Sequence, residues 1–191
     1  FTTVTIPANS TSVDFTIASN DDALAEGTED FTVSLTGTSG GGFENTIIGV
    51  SGVTTAITDN DAIDFAISST PSISEDTAET ATFSVAMTGT LATGETASVV
   101  LTPSGTATDA TDHAAFMTAV ATAATAATGV TLVGNTLTFA STAVSPFTFT
   151  MAAIDDSTVE GTENIIGTLS SATTTNGTVT ISTAATTTNI T

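Results

Sequence analysis

The stretch Asn20-Asp21-Asp22-Ala23-Leu24-Ala25-Glu26-Gly27-Thr28-Glu29 returns 134 residues later as Ile154-Asp155-Asp156-Ser157-Thr158-Val159-Glu160-Gly161-Thr162-Glu163. Upstream, Val13, Phe15 and Ile17 match Phe147, Phe149 and Met151 at the same offset. Downstream, Thr54-Thr55-Ala56-Ile57-Thr58 resembles Thr187-Thr188-Asn189-Ile190-Thr191 at an offset of 133. The first copy then runs on into Asp59-Asn60-Asp61. The chain is therefore about one and a half repeats, the signature of an array. Residues 62–191 read as a nearly complete unit, and residues 1–61 as the C-terminal half of the unit before it. Half a sandwich leaves an apolar face and sheet edges unpaired. The expected completion is upstream chain or a neighbouring subunit. The opening Phe1 falls in what reads as a strand, as expected of a mature product or a piece of a longer chain, with no signal peptide.

Composition narrows the function. The chain has 191 residues, no Lys or Arg, 20 acids and one His, for a formal charge of −20. Without cations it has nothing to displace counterions from nucleic-acid phosphates or to bind an anionic lipid surface. Without Cys it has no disulfide or thiol chemistry. Yet 40% of its residues are hydrophobic, unlike a solvated acidic tail. The uncharged run at 114–133 is rich in Ala and Thr, is broken by Gly129 and lacks Lys/Arg flanks. It does not read as a membrane span.

Period-two alternation marks the strands. Phe31, Val33 and Leu35 alternate with Thr and Ser; so do Ile63, Phe65 and Ile67, Phe83, Val85 and Met87, and Phe147, Phe149 and Met151. Thr88-Gly89, Pro103-Ser104-Gly105 and Asn176-Gly177 supply turns between strands. This pattern predicts an all-β, antiparallel sandwich with one apolar face per sheet. One segment departs from it: residues 113–127 are Ala-rich, with Phe116, Val120 and Ala124 four apart. That spacing predicts a short helical insertion over an end or edge of the sandwich, with Asp112 as its N-cap.

The acids cluster where apolar runs end and loops should lie. Only Asp14, Glu44 and Glu95 stand apart. Two carboxylates about 4 Å apart repel by about 4 kcal/mol at an effective dielectric near ~20. With no Lys or Arg on the chain, a bound cation or a proton must offset such crowding. Calcium suits all-oxygen loops, taking roughly 6–8 ligands in flexible geometry, whereas magnesium keeps more water. Zinc and copper prefer N and S donors, and the chain offers a single imidazole, His113, and no thiolate.

These residues resemble the Calx-β family, found in sodium–calcium exchanger regulatory loops and in arrays on large bacterial surface proteins. The matching stretches are Ser72-Ile73-Ser74-Glu75, the run from Gly105 to Asp112-His113, Thr136-Leu137-Thr138-Phe139, the Asp155-Asp156…Glu160…Glu163 loop, and Ile57-Thr58-Asp59-Asn60-Asp61. The resemblance covers nearly the whole chain and implies a seven-stranded, immunoglobulin-like sandwich with calcium at one tip. It implies ligands Asp21, Asp22, Glu26, Glu29, Asp59 and Asp61 in the first unit. In the second it implies Glu75, Asp112, Asp155, Asp156, Glu160 and Glu163, completed by acids beyond Thr191. His113 stands where the family usually has an aromatic, and the helical insertion, longer than in the exchanger type, resembles the bacterial array type.

No catalytic constellation competes with this reading. His113 lacks a nucleophile or a second His and reads as a capping or partly exposed residue. There is no Gly-x-Ser-x-Gly elbow, no Trp or Tyr to stack a sugar against paired carboxylates, and Gly40-Gly41-Gly42 is a hairpin tip without a phosphate-loop Lys. The expectation is a non-enzymatic structural module, extracellular or on a bacterial cell surface, bound to neighbouring copies or repeats of itself. The second expectation is a calcium-dependent adhesion module for a glycan or another surface. Neither involves nucleic acid or membrane insertion.

Overall fold

The computed structural model describes residues 2–155 and 161–191. In chain order the strands are β1 (Glu29–Ser34), β2 (Gly52–Ile57), β3 (Ala62–Ser69), β4 (Ser72–Ile73), β5 (Thr80–Thr88) and β6 (Thr96–Gly105). Helix α1 (Phe116–Ala126) follows, then β7 (Val130–Val133), β8 (Thr136–Ala140), β9 (Phe147–Ala152), β10 (Glu163–Thr174), β11 (Thr178–Thr183) and β12 (Ala185–Ile190).

The second unit is a two-sheet sandwich. One sheet has the order β4-β12-β10-β6-β8-β7 and the other β11-β3-β5-β9. Most ladders are antiparallel, but β11 joins β3 and β12 joins β4 in parallel. The alternating residues behave as the sequence predicts. Ile63, Phe65, Ile67, Phe83, Val85, Phe147, Phe149 and Met151 are buried against Val99, Leu101, Leu137, Phe139, Ile165 and Leu169 of the facing sheet. Thr and Ser take the outer faces, where some pair across strands, as Ser98 Oγ does with Thr138 Oγ1 at 3.0 Å.

Helix α1 packs against β9 and β7, each the edge strand of its sheet, and so closes one side of the sandwich. Its anchor is Phe116, which meets Phe83 and Phe149 edge-on at centroid distances of 5.3 and 5.1 Å. Those two rings stack on each other at 5.2 Å. Gly167 makes room for the seat: a Cβ there would lie 3.0 Å from Ile67 Cδ1 and 3.6 Å from the Phe116 ring. The helix starts at Phe116, three residues later than the spacing predicts, its N-cap position is Ala115, and Asp112 does not cap it. Asp109 Oδ1 accepts the Phe116 amide at 2.7 Å. Asp112 instead turns inward and accepts the Thr108 amide. His113 is buried rather than partly exposed. Its Nδ1 lies 2.9 Å from the Ala114 carbonyl and 3.7 Å from Asp109.

The first unit repeats the ladder of the second. β1 pairs β2 from Glu29↔Ile57 to Ser34↔Gly52; β10 pairs β12 from Glu163↔Ile190 to Thr168↔Ala185. These are the repeat-related residues in the same register. The strand expected around Val13, Phe15 and Ile17 does not form. The reason lies in the second unit, where the equivalent strand β9 hydrogen-bonds only to β5. The first unit has no counterpart of β5 among the described residues, so this segment has no ladder to join. Phe15, Ile17, Leu35, Val50 and Val53 are exposed in consequence, around an open apolar cleft of about 500 Å³. Gly40, Gly41 and Gly42 take positive φ in the loop joining β1 and β2.

Candidate metal centre

The two units meet end to end through a short acidic loop. Leu24 forms a parallel bridge with Thr90, and the Ala25 amide donates to the Thr90 carbonyl at 2.9 Å. Ala25 is fully buried in the core cluster of the second unit. The β10–β11 turn lies against the same loop. Gly177 has φ +75°, and a Cβ on it would stand 2.7 Å from the Glu26 carbonyl oxygen. A glycine is needed there on both counts.

Asp59 ties this loop to the linker between the units. Its Oδ2 accepts the Glu26 amide at 2.8 Å, and its Oδ1 accepts the Asp61 amide at 3.0 Å. These backbone bonds favour the charged form and hold its carboxyl below the usual carboxylate range. Glu26 and Asp61 are displaced the other way. Burial raises Glu26, reinforced by the charges of Asp22, Glu29, Asp59 and Glu95. Burial likewise raises Asp61, reinforced by Asp59, Asp21 and Asp22. Each of the six acids expected in the first unit thus takes part in one of these two sets, around Glu26 or around Asp61, which share Asp22 and Asp59. Asp22 Oδ1 also accepts the Leu24 amide at 2.8 Å, shaping the loop that docks.

The structure adds Glu95, which the sequence sets apart from every acidic run. It lies just before β6, in the second unit. Asn176 Nδ2 donates to its Oε1, while its Oε2 is sealed from solvent without a hydrogen-bond partner. No run of acids marks this residue. The only sequence signal is that Gly94-Glu95 and Asn176-Gly177 are both turns bordering strands.

The acids of the second unit lie at its opposite end. The ladder registers place the ends of β4, β6, β9 and β12 together with the start of β10 there. Asp112 is buried, and its carboxyl is held below the usual range by the Thr108 amide, with help from a side-chain hydrogen bond to Glu163 and the nearby His113. The Asp112 carbonyl accepts the Ile154 amide at 2.9 Å, which brings the exposed Asp155 alongside. The Glu75 amide donates to the Thr191 carbonyl at 3.1 Å. Asp156 and Glu160, expected in this set, lie outside the described residues. Asp64, by contrast, is not at a tip: it accepts from Thr180 Oγ1 at 2.7 Å and from Ser182 Oγ, pinning β11 to β3.

Among the described residues, no three carboxylate or imidazole groups converge closely enough to enclose a metal ion. The chemistry of the junction nonetheless fits a hard cation. The donors are all oxygen, the chain supplies no Lys or Arg to offset them, and Glu95 presents a buried oxygen that nothing satisfies. Among the described residues, no helix is long and apolar enough to cross a membrane. Comparison with curated proteins found no match. The sequence model of the Calx-beta domain matches residues 3–61 and again residues 58–191. With two successive matches spanning nearly its whole length, this β-sandwich chain belongs to the Calx-beta domain family.

Proposed function

We propose that this chain is a structural calcium-binding repeat module of a bacterial extracellular fibre, surface layer or giant adhesin, with calcium stiffening each joint between units. The observation that carries this reading is the junction. Asp21, Asp22, Glu26, Glu29, Asp59 and Asp61 lie around the joint where one unit docks on the next, on a chain with no Lys or Arg. Bound calcium supplies the positive charge that such a cluster lacks. Asp59 orients the docking loop and the linker through their amides, and the remaining carboxylates contribute oxygens. The role is mechanical rather than catalytic.

The second unit supports the same reading, because its own acids face away from the junction, where a following unit would dock. The exposed apolar face of β1 and β2 supports completion of the first unit by strands of the β5 and β6 type, from upstream chain or a neighbouring copy. The test is thermal unfolding of the chain with calcium and with chelator. At about a hundredfold excess over the dissociation constant, linkage gives about 2.7 kcal/mol of added stability. An identical melting curve in chelator would remove the calcium reading.

A further inference from the structure

Asn176 and Gly177 form the one Asn-Gly pair of the chain. They make the exposed bend between β10 and β11, outside the ladders of both strands. Glycine has no Cβ to shield its amide nitrogen or restrict its backbone, so the Gly177 nitrogen can close on the Asn176 side chain, and the bend is open to water. The same bend bears on the joint between the units. Asn176 Nδ2 donates to Glu95 Oε1. A Cβ on Gly177 would stand 2.7 Å from the Glu26 carbonyl oxygen and 2.8 Å from the Ala25 carbonyl carbon, so the docking loop rests directly on this residue. The ionisable groups that act on Glu26 there, Asp22, Glu29, Asp59 and Glu95, are all acids.

We propose that Asn176 is a self-modification site: its slow, one-way deamidation loosens the joint between the units. The lone pair of the Gly177 amide nitrogen attacks Asn176 Cγ, and the new C–N bond closes a succinimide ring. The Cγ–Nδ2 bond breaks, and the side-chain nitrogen leaves as ammonia, carrying the proton that Gly177 gave up. Water then opens the ring at one of its two carbonyls, leaving either an aspartate or an isoaspartate at position 176. Each product replaces a hydrogen-bond donor beside Glu95 with a carboxylate, in a place where every neighbouring charge already repels it. The isoaspartate also inserts one more carbon into the main chain just before Gly177, where the docking loop has no slack. The chemistry needs only the docked joint and is independent of calcium.

The test ages the 191-residue chain in mildly alkaline buffer with chelator, beside Asn176→Gln and Asn176→Asp. Peptide mass spectrometry after pepsin digestion, with enzymatic methylation of isoaspartate, reads the modification; hydrogen exchange at the Ala25 amide reads docking. Aged wild type should convert at Asn176 before any other asparagine. Its Ala25 amide should then exchange at least about tenfold faster, as for the loss of one hydrogen bond to a charged group. Fresh Asn176→Asp should show the same faster exchange without ageing. Asn176→Gln keeps an amide whose longer side chain closes the ring far more slowly, so its Ala25 exchange should not change on ageing. Retention of the Asn176 amide in aged wild type overturns the site. Conversion at Asn176 with unchanged Ala25 exchange overturns its hold on the joint. An Ala25 amide already unprotected in fresh wild type overturns the docked joint itself, and the proposal with it.

Discussion

Gly177→Ala should loosen the joint between the units without unfolding either of them. The added Cβ would stand 2.7 Å from the Glu26 carbonyl oxygen and 2.8 Å from the Ala25 carbonyl carbon. Both are backbone atoms that cannot rotate away, so the docking loop must retreat. Retreat breaks the bond from the Ala25 amide to the Thr90 carbonyl, worth about 0.5–1.5 kcal/mol net. It also exposes the buried Ala25 methyl, worth about 0.8 kcal/mol. The joint therefore loses about 2 kcal/mol, and the Ala25 amide should exchange with solvent roughly 10–30 times faster. Gly177 also has φ +75°, so alanine there carries a left-handed backbone penalty of about 1–2 kcal/mol whatever it touches. Gly134 isolates that term: its φ is +60° and nothing lies within 4 Å of its Cβ position. Gly134→Ala should lower stability by the backbone penalty alone and leave Ala25 exchange unchanged. The assay is amide exchange on the three chains under matched conditions. Equal Ala25 protection in Gly177→Ala and wild type would refute the docked arrangement.

Two further predictions concern the core and the charge cluster. Phe116→Ala removes the buried ring that fastens α1 to Phe83 and Phe149 and should cost about 3–5 kcal/mol, read by denaturant unfolding, whereas Val133→Ser on the exposed side of β7 should stay within about 0.5 kcal/mol. In pH scans without calcium, Glu26 and Asp61 bind protons more readily folded than unfolded, so the melting temperature should rise as pH falls from neutrality through their raised range. Asp59 and Asp112 are displaced downward; the stability they supply above the usual carboxylate range should be lost on further acidification through their lowered values. The added stability from calcium should disappear over the first of these steps, as Glu26 and Asp61 take up protons.

The parts legible in the sequence are those set by local pattern. Alternation at Ile63, Phe65 and Ile67 is enough to assign a half-buried strand, because each side chain's face follows from its parity. The internal repeat carries the β1–β2 register as well, since the same residues meet in β10–β12. What the sequence hides depends on distant partners. The segment around Phe15 has strand periodicity but no neighbour equivalent to β5, and a strand without a ladder is not a strand. Asp112 reads in the sequence as the cap of α1, yet it is Asp109 that takes the Phe116 amide. Packing decides between them, because Asp112 is drawn inward to Thr108 and Glu163. Glu95 stands alone in the sequence, and only the end-to-end docking of the units brings it to the acids around Glu26.

The central claim is that a cation sits at the joint between units. Anomalous diffraction from crystals of the chain grown with calcium, or with a lanthanide in its place, tests this most directly. The account predicts an anomalous peak among the junction acids Asp21, Asp22, Glu26, Glu29, Asp59 and Asp61, with calcium about 2.3–2.6 Å from the oxygens that bind it. A map with the two units docked, calcium in millimolar excess and no peak at the junction would contradict it.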